Sequence, residues 1–439
     1  MKCKKYMLFL LLTAFLLSGC SMHTVDKLYC LPRRSEEFAA LQASIDEAML
    51  GLEYCAPRSG ENQQTVQMAD LDGDGEEEYL VFAKGYSETP LRILVFDQFE
   101  EEFRLVDTIE SNGLAFDMVE YAQMDRTDGM ELVVGYQLSN QVLRSVSVYS
   151  FQNGKSERLL KTNYARMLTL DLDMDSFQEL FVLRPGQTET DNGIAELYGI
   201  RDGTMERSNE VSMSRPADKL KRILVGRLYD GEPAVYTASS VEDKALITDV
   251  FACVDQALVN VSFSNESGTS VQTMRNYYVY SDDIDSDGVV ELPDLITMQT
   301  LDGEQTGDHH DLIRWYAMRS NGTEVDKLYT YHEFIGGWYL QLNSDWAPRL
   351  TVRQEGNAYN FYLWSESFDK MEHMFTIYAL SGKDRESLGD MHGRFMLLKT
   401  DSVSYAAVLE PSAIEYHMDK EGLIRDFHLI QQEWKTGET

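Results

Sequence analysis

An acidic nine-residue pattern recurs along this chain and constrains its fold more than any other feature. In residues 70–78 the pattern places aspartate at slots 1, 3 and 5, glycine at slot 6 and glutamate at slot 9. Residues 171–179 and 283–291 repeat it, with Ser176 at slot 6 of the middle copy. Weaker copies end at residues 131 and 234, so the slot-9 positions recur about every fifty residues. A fixed period of this length predicts a solenoid or a propeller.

The residue types of the pattern indicate a cation site. Carboxylates at alternate positions of a tight loop can point at one centre, and a hard cation such as calcium takes six to eight oxygen ligands. The residues after the first copy, 79–83, are apolar and predict a buried strand. An EF-hand would continue as a helix and place its closing glutamate at slot 12. The pattern therefore predicts a cation-binding loop followed by a strand, with calcium favoured over magnesium because all ligands are protein oxygens.

The two weaker copies differ in what they keep. The second copy retains Asp125, Asp128 and Glu131, but it is one residue shorter than the pattern, so Asp125 and Asp128 cannot both occupy their slots. Whether the second loop binds metal stays open. The fourth has Gly226 and Ala234 at slots 1 and 9, and we expect no metal there.

Between the acidic loops lie short alternating or apolar segments bounded by Gly, Asn and Asp turns. With the strand after each loop, they amount to four strands per unit. Four strands at this period are typical of a propeller blade, whereas a β-solenoid needs shorter repeats.

The acidic loop followed by an apolar strand, in repeated copies, resembles the FG-GAP/VCBS repeats of integrin-type β-propellers over residues 62–335. The resemblance implies a mainly β fold: a β-propeller with five visible blades, or six or seven if others are too degenerate to see. It also implies structural Ca²⁺ bound within the blades. The implied ligands are Asp70, Asp72, Asp74 and Glu78 in the first loop, Asp171, Asp173, Asp175 and Glu179 in the third, and Asp283, Asp285, Asp287 and Glu291 in the fifth.

Residues 336–439 predict a small C-terminal α+β domain. Several strands are followed by a helix with Asp419 as its N-cap and Leu423, Ile424 and Phe427 on one face. The segment resembles the small α+β modules of Gram-positive lipoproteins related to the PsbP-like fold. A further blade is the alternative.

The N-terminal segment, residues 1–19, predicts a lipoprotein signal peptide. Three of the first five residues are lysine, and the apolar run that follows is too short for a comfortable membrane span. The sequence Leu-Ser-Gly-Cys at 17–20 resembles a lipobox, which implies that Cys20 is lipidated and becomes the mature N-terminus. Residues 20–61 then predict a tether and a helix. We expect an extracytoplasmic protein that touches the membrane only through this anchor.

The amino-acid composition limits the classes of partner that this protein can bind. The net charge of −34 argues against nucleic acid, because a phosphate backbone would be repelled. Cys30 and Cys55 could form a disulfide outside the cell, or stay as buried or idle thiols. No CxxC, HExxH, GxSxG or P-loop occurs, so no catalytic residue is predicted.

We expect a non-enzymatic binding or scaffold protein at the Gram-positive cell surface, whose partner is an envelope protein or a glycan. A propeller polysaccharide hydrolase or lyase is the alternative.

Overall fold

The computed structural model describes residues 36–430 apart from short gaps at 101, 140–142, 189, 243–244, 277–278, 300–310, 366 and 368–369. The described chain is mainly β and forms six successive antiparallel sheets. Cys20 and Cys30 lie outside the described residues, so the lipid anchor and the Cys30–Cys55 pairing stay predictions. None of the helices that the structure describes is long and apolar enough to cross a membrane.

The first three sheets follow one another along the chain, and sheets 2 and 3 run through their strands in sequence order. In sheet 1 both β1 and β2 pair with β3. The strands of sheet 1 are β1 (Glu53–Tyr54), β2 (Val66–Ala69), β3 (Glu78–Lys84), β4 (Leu91–Phe99) and β5 (Glu102–Ser111); those of sheet 2 are β6 (Ala115–Ala122), β7 (Glu131–Gln137), β8 (Arg144–Gln152) and β9 (Lys155–Tyr164); those of sheet 3 are β10 (Arg166–Leu170), β11 (Glu179–Arg184), β12 (Ile194–Arg201) and β13 (Thr204–Ser212).

The last three sheets continue the series, and the last strand that the structure describes pairs within sheet 5. Sheet 4 consists of β14 (Leu220–Arg227), β15 (Pro233–Glu242), β16 (Ala245–Val254) and β17 (Ala257–Asn260); sheet 5 of β18 (Leu292–Thr297), β19 (Asp311–Met318), β20 (Glu324–Glu333), β21 (Trp338–Leu342) and β27 (Phe427–Leu429); sheet 6 of β22 (Leu350–Glu355), β23 (Ala358–Leu363), β24 (Glu372–Ser381), β25 (Phe395–Lys399) and β26 (Val403–Leu409).

Among the described residues, three α-helices accompany the sheets: α1 (Glu36–Ala48), α2 (Arg385–Gly389) and α3 (Lys420–Arg425). Short 3₁₀ turns lie at Ala217–Lys219, Val271–Thr273, Ala347–Arg349 and Pro411–Tyr416. The helix predicted near the N-terminus is confirmed as α1, whose Leu41 and Ile45 are buried against sheet 1. Neighbouring residues of a strand point to opposite faces of a sheet. Val81 of β3 therefore packs against α1, whereas Leu80 and Phe82 pack in the core shared with sheet 2. The helix thus covers the face of sheet 1 that is turned away from sheet 2.

Each sheet buries its apolar faces against the next sheet in the chain. Phe82 of sheet 1 meets Phe116 of sheet 2 edge-to-face at 5.1 Å, and Tyr331 of sheet 5 meets Phe361 of sheet 6 at 5.2 Å. Central strands are covered on both faces, so β7 is buried at every residue from Glu131 to Tyr136. Within the described ranges no core cluster joins sheet 1 to sheet 6. The described contacts therefore define an ordered series of sheets.

The C-terminal segment is continuous with sheet 5. The predicted domain boundary at residue 335 falls between β20 and β21, which pair with each other. Residues 350–409 form sheet 6, and one hydrophobic core spans sheets 5 and 6 around the buried Trp338. The division of the chain at this boundary stays a prediction.

The predicted C-terminal helix begins as expected but is shorter. Asp419 caps it, and its carboxylate accepts a hydrogen bond from the Gly422 N–H at 2.7 Å. The helix ends at Arg425, so the assignment of Phe427 to its apolar face was wrong. Phe427 lies in β27 because pairing with β21 stacks its ring on Trp338 at 5.3 Å.

Candidate functional site

The acidic loops occupy equivalent places in successive sheets. The first copy connects β2 to β3 in sheet 1, and the next three connect the first and second strands of sheets 2 to 4: β6 to β7, β10 to β11 and β14 to β15. The fifth copy lies before β18, where Asp282 and Glu291 form an isolated bridge. The predicted order of loop and strand is confirmed, and no copy leads into a helix.

Three of the five loops gather carboxylates tightly enough to hold a metal ion. In each, one oxygen from slots 1, 3 and 9 lies within 4.8 Å of the other two. The second and fourth loops form no such group, and none occurs elsewhere among the residues that the structure describes. The three groups are Asp70, Asp72 and Glu78; Asp171, Asp173 and Glu179; and Asp283, Asp285 and Glu291.

The slot-5 aspartates stand apart from these groups. Each uses one carboxylate oxygen to accept the backbone N–H two residues further on, at 2.8 Å for Asp74, 2.8 Å for Asp175 and 2.9 Å for Asp287. A short aspartate side chain readily closes a turn in this way. The structure thus brings together three of the four predicted ligands in each loop.

The slot-1 aspartates fix the turn itself. Asp283 accepts N–H groups from slots 5 and 6, Asp287 at 3.0 Å and Gly288 at 2.9 Å, and Asp171 makes the equivalent pair of bonds. Asp70 instead accepts from slots 4 and 6, Gly73 at 2.7 Å and Gly75 at 3.1 Å. Slot 6 has a left-handed backbone in all three loops, with φ of 79° at Ser176. The serine therefore accepts the conformation that glycine adopts in the other two loops, at a cost of about 1–2 kcal/mol.

The slot-9 glutamates anchor the loops from the strand side. Each is buried and accepts the backbone N–H of slot 2, as in Glu78 with Leu71 at 2.7 Å. Burial raises the pKa of Glu78 and of Glu179 to about 7, and that of Glu291 to about 8. Without an ion, these carboxyls are therefore partly protonated near neutral pH. A bound divalent cation would stabilise their charged form.

Glu131 in the second loop has the same anchoring role without a metal-binding group around it. Its side chain is 2% exposed and accepts the Met124 N–H at 2.9 Å. Burial raises its pKa to about 7. The seven-residue separation between donor and acceptor is the same as in the acidic loops. Counted back from Glu131, the second loop therefore has its full length, with Gln123 at slot 1 and Asp125 at slot 3, and the prediction that it is one residue short was wrong. This spacing is the sequence signal for a structural glutamate.

Neighbouring loops also bond to each other. The Met130 N–H donates to the Asp70 carbonyl at 3.1 Å, and the Gln178 N–H donates to the Gln123 carbonyl at 2.8 Å. The loops therefore join sheet 1 to sheet 2 and sheet 2 to sheet 3.

Gly129 makes the first of these junctions possible, and this predicts a measurable loss of stability. A Cβ at residue 129 would sit directly against the Leu71 carbonyl oxygen. We expect Gly129→Ala to destabilise the fold by about 1–3 kcal/mol through overpacking. Gly199→Ala is the control, since its Cβ would meet only Glu179 Cγ at 3.7 Å. Urea unfolding of both variants measures the difference, and equal midpoints would contradict the close approach.

The carboxylate groups fit a hard divalent cation. All their ligand atoms are oxygens, as calcium prefers. Asp72 Oδ1 in the first loop is buried without a hydrogen-bond partner among the described residues. Buried polar atoms of this kind are normally satisfied by a hydrogen bond or an ion. The first and third loops contain no ion pair in the described part of the chain, whereas Lys327 reaches the fifth.

An open cleft of about 1010 Å³ borders the third loop. It is lined by Asp173, Asp175 and Glu179 and by two arginines of the β12–β13 hairpin, Arg201 and Arg207. The cleft is thus polar and of mixed charge. Its carboxylates include three of the predicted metal ligands, so this is where a ligand could contact the third loop.

Comparison with known proteins identifies no family. No protein-family model matches the chain, and no curated protein matches it. Among solved structures, the rhamnogalacturonan lyase YesX has 14% identity and a TM-score of 0.27, with 67% of this chain and 57% of the lyase covered. This chain therefore spans little more than half of the lyase's length.

Two further solved structures have similar scores. Sqt1 of Chaetomium thermophilum, bound to the N-terminus of ribosomal protein L10, has 10% identity and a TM-score of 0.30, over 79% of this chain and 96% of its own. TolB of Acinetobacter baumannii has 9% identity and a TM-score of 0.22, over 75% of this chain and 67% of its own. TM-scores this low establish neither a shared family nor a shared activity.

Proposed function

We propose that this protein is a lipid-anchored, extracytoplasmic scaffold built as a calcium-braced β-propeller, with one blade in each of the six sheets. It binds an envelope protein or a glycan and has no catalytic role. Calcium in the acidic loops stabilises the junctions between blades. The resemblance of the loops to FG-GAP/VCBS repeats supports this interpretation of the acidic loops.

The observation that carries the proposal is the repeated carboxylate group. The same three slots converge in three loops at equivalent places in different sheets. The loops also bond to neighbouring loops, as Val290 N–H does to the Arg227 carbonyl at 3.1 Å. An ion held at these places would restrain both its own hairpin and the adjoining sheet.

A binding role fits the surface better than catalysis does. The cleft beside the third loop offers guanidinium groups from Arg126 and Arg201 next to the predicted calcium ligands. Guanidinium groups and a calcium ion both attract carboxylates. The cleft is therefore suited to an acidic glycan or an acidic protein segment.

The anchor is tested by fractionating cells that produce the wild type or Cys20→Ala. We expect the wild type in the membrane fraction, with a mass that includes a lipid on the mature N-terminal cysteine. The variant should lack the lipid and keep its signal segment. An unlipidated wild-type protein in the soluble fraction would refute the anchoring part of the proposal.

A further inference from the structure

The fifth acidic loop contains a cation from the protein itself. Lys327 Nζ forms an ion pair with Asp287, lies 3.4 Å from Asp285 Oδ2 and lies 3.8 Å from Glu291 Oε1. Its side chain is only 14% exposed, and Glu291 is fully buried. The ammonium therefore stands among three of the four predicted ligands of this loop.

A β-bulge brings Lys327 to this position. In sheet 5, Trp315 pairs with Leu328 and Tyr316 pairs with Asp326, which leaves Lys327 as the extra residue. An extra residue in one strand redirects a side chain, and bulges recur next to functional sites. Bulge residues occupy the corresponding place in three other sheets: Val106 in sheet 1, Leu159 in sheet 2 and Ser208 in sheet 3.

The bulge residue therefore distinguishes the three acidic loops. Sheets 1 and 3 have Val106 and Ser208 there, and neither side chain carries charge. Ser208 lines the same cleft as Asp173, Asp175 and Glu179, so it lies on the side from which the third loop is reached. In the described part of the chain, lysine or arginine forms ion pairs with the carboxylates of the fifth loop and not with those of the first or third.

We propose that Lys327 is a built-in counter-ion that replaces the divalent cation in the fifth loop, so that only the first and third loops bind calcium. This inference rests on the proposed calcium role of those two loops. The ammonium lies within ion-pair distance of Asp285 and Glu291, two of the three carboxylates that an incoming ion would need, and its charge repels a second cation at short range. The fifth junction is therefore braced at any calcium concentration, whereas the other two respond to it.

The test counts calcium ions per chain by equilibrium dialysis of the purified full-length protein. We expect two ions for the wild type, three for Lys327→Met and one for Ser208→Lys, which places an ammonium at the third loop. Asp285→Asn in the wild-type background provides a second test that leaves Lys327 in place. It should still bind two ions, whereas Asp72→Asn should bind one.

The outcomes separate this inference from the proposed function. Three ions on the wild type, or one ion lost in Asp285→Asn, would overturn the role of Lys327 but would leave calcium binding by the first and third loops in place. No ion on the wild type but one on Lys327→Met would refute calcium binding by the first and third loops, and it would support Lys327 as the counter-ion of the fifth loop. No ion on either protein would overturn both.

Discussion

Chelating calcium at pH 8 is expected to lower the thermal unfolding midpoint of the wild-type protein by a few degrees. At a calcium concentration ten-fold above Kd, each filled loop adds about 1.4 kcal/mol to the free energy of unfolding. Removal of the ion also leaves Asp70, Asp72 and Glu78 facing one another at short range. Differential scanning calorimetry with and without a chelator measures the shift.

Matched variants show whether the shift comes from the assigned loops. Asp72→Asn should lose about half of the calcium-dependent rise, because one of the two responsive loops is disabled. Glu232→Gln changes a carboxylate in the fourth loop, where no metal-binding group forms, and should keep the full rise. Equal losses in the two variants would contradict the slot assignment.

The second large expected effect concerns how the free energy of unfolding depends on pH, and the variant Glu131→Gln tests it. Burial raises the pKa of Glu131 from 4.5 to about 7 in the folded protein. Between pH 4.5 and about pH 7, the folded state therefore keeps a proton on Glu131 that the unfolded state has already released. The stability that comes from this group is complete below pH 4.5, falls as the pH rises, and is lost above pH 7. The loss is on the order of 3 kcal/mol.

Glutamine at 131 carries no charge, and its carbonyl oxygen can still accept the Met124 N–H. In chelator, Glu131→Gln should match the wild type at pH 4.5 and exceed it in free energy of unfolding at pH 8. Urea unfolding at the two pH values measures both proteins. A constant difference between them would show that Glu131 is not a buried proton-binding group.

The sequence predicted what depends on local periodicity. Alternating strands, the loop-then-strand order and the carboxylate clusters follow from spacing, and the structure contains them. The capping role of Asp419 was also predictable, since it precedes a short apolar-periodic segment.

Features set by distant pairing were not predictable. Phe427 was assigned to a helix because its spacing is helical, but pairing of β27 with β21 draws it into sheet 5. Lys327 lies 36 residues beyond Glu291 and reaches the fifth loop only through a bulge in β20. The sequence left open whether Glu131 belongs to a metal site, whereas its burial and its bond to Met124 give it a structural role.

Anomalous diffraction from crystals grown with calcium would show directly whether ions occupy the acidic loops. We expect one peak between Asp70, Asp72 and Glu78 and a second between Asp171, Asp173 and Glu179, with Lys327 Nζ beside Asp285 and Asp287. Absence of both peaks at saturating calcium, with the aspartates pointing apart, would contradict the view that ions brace these sheets.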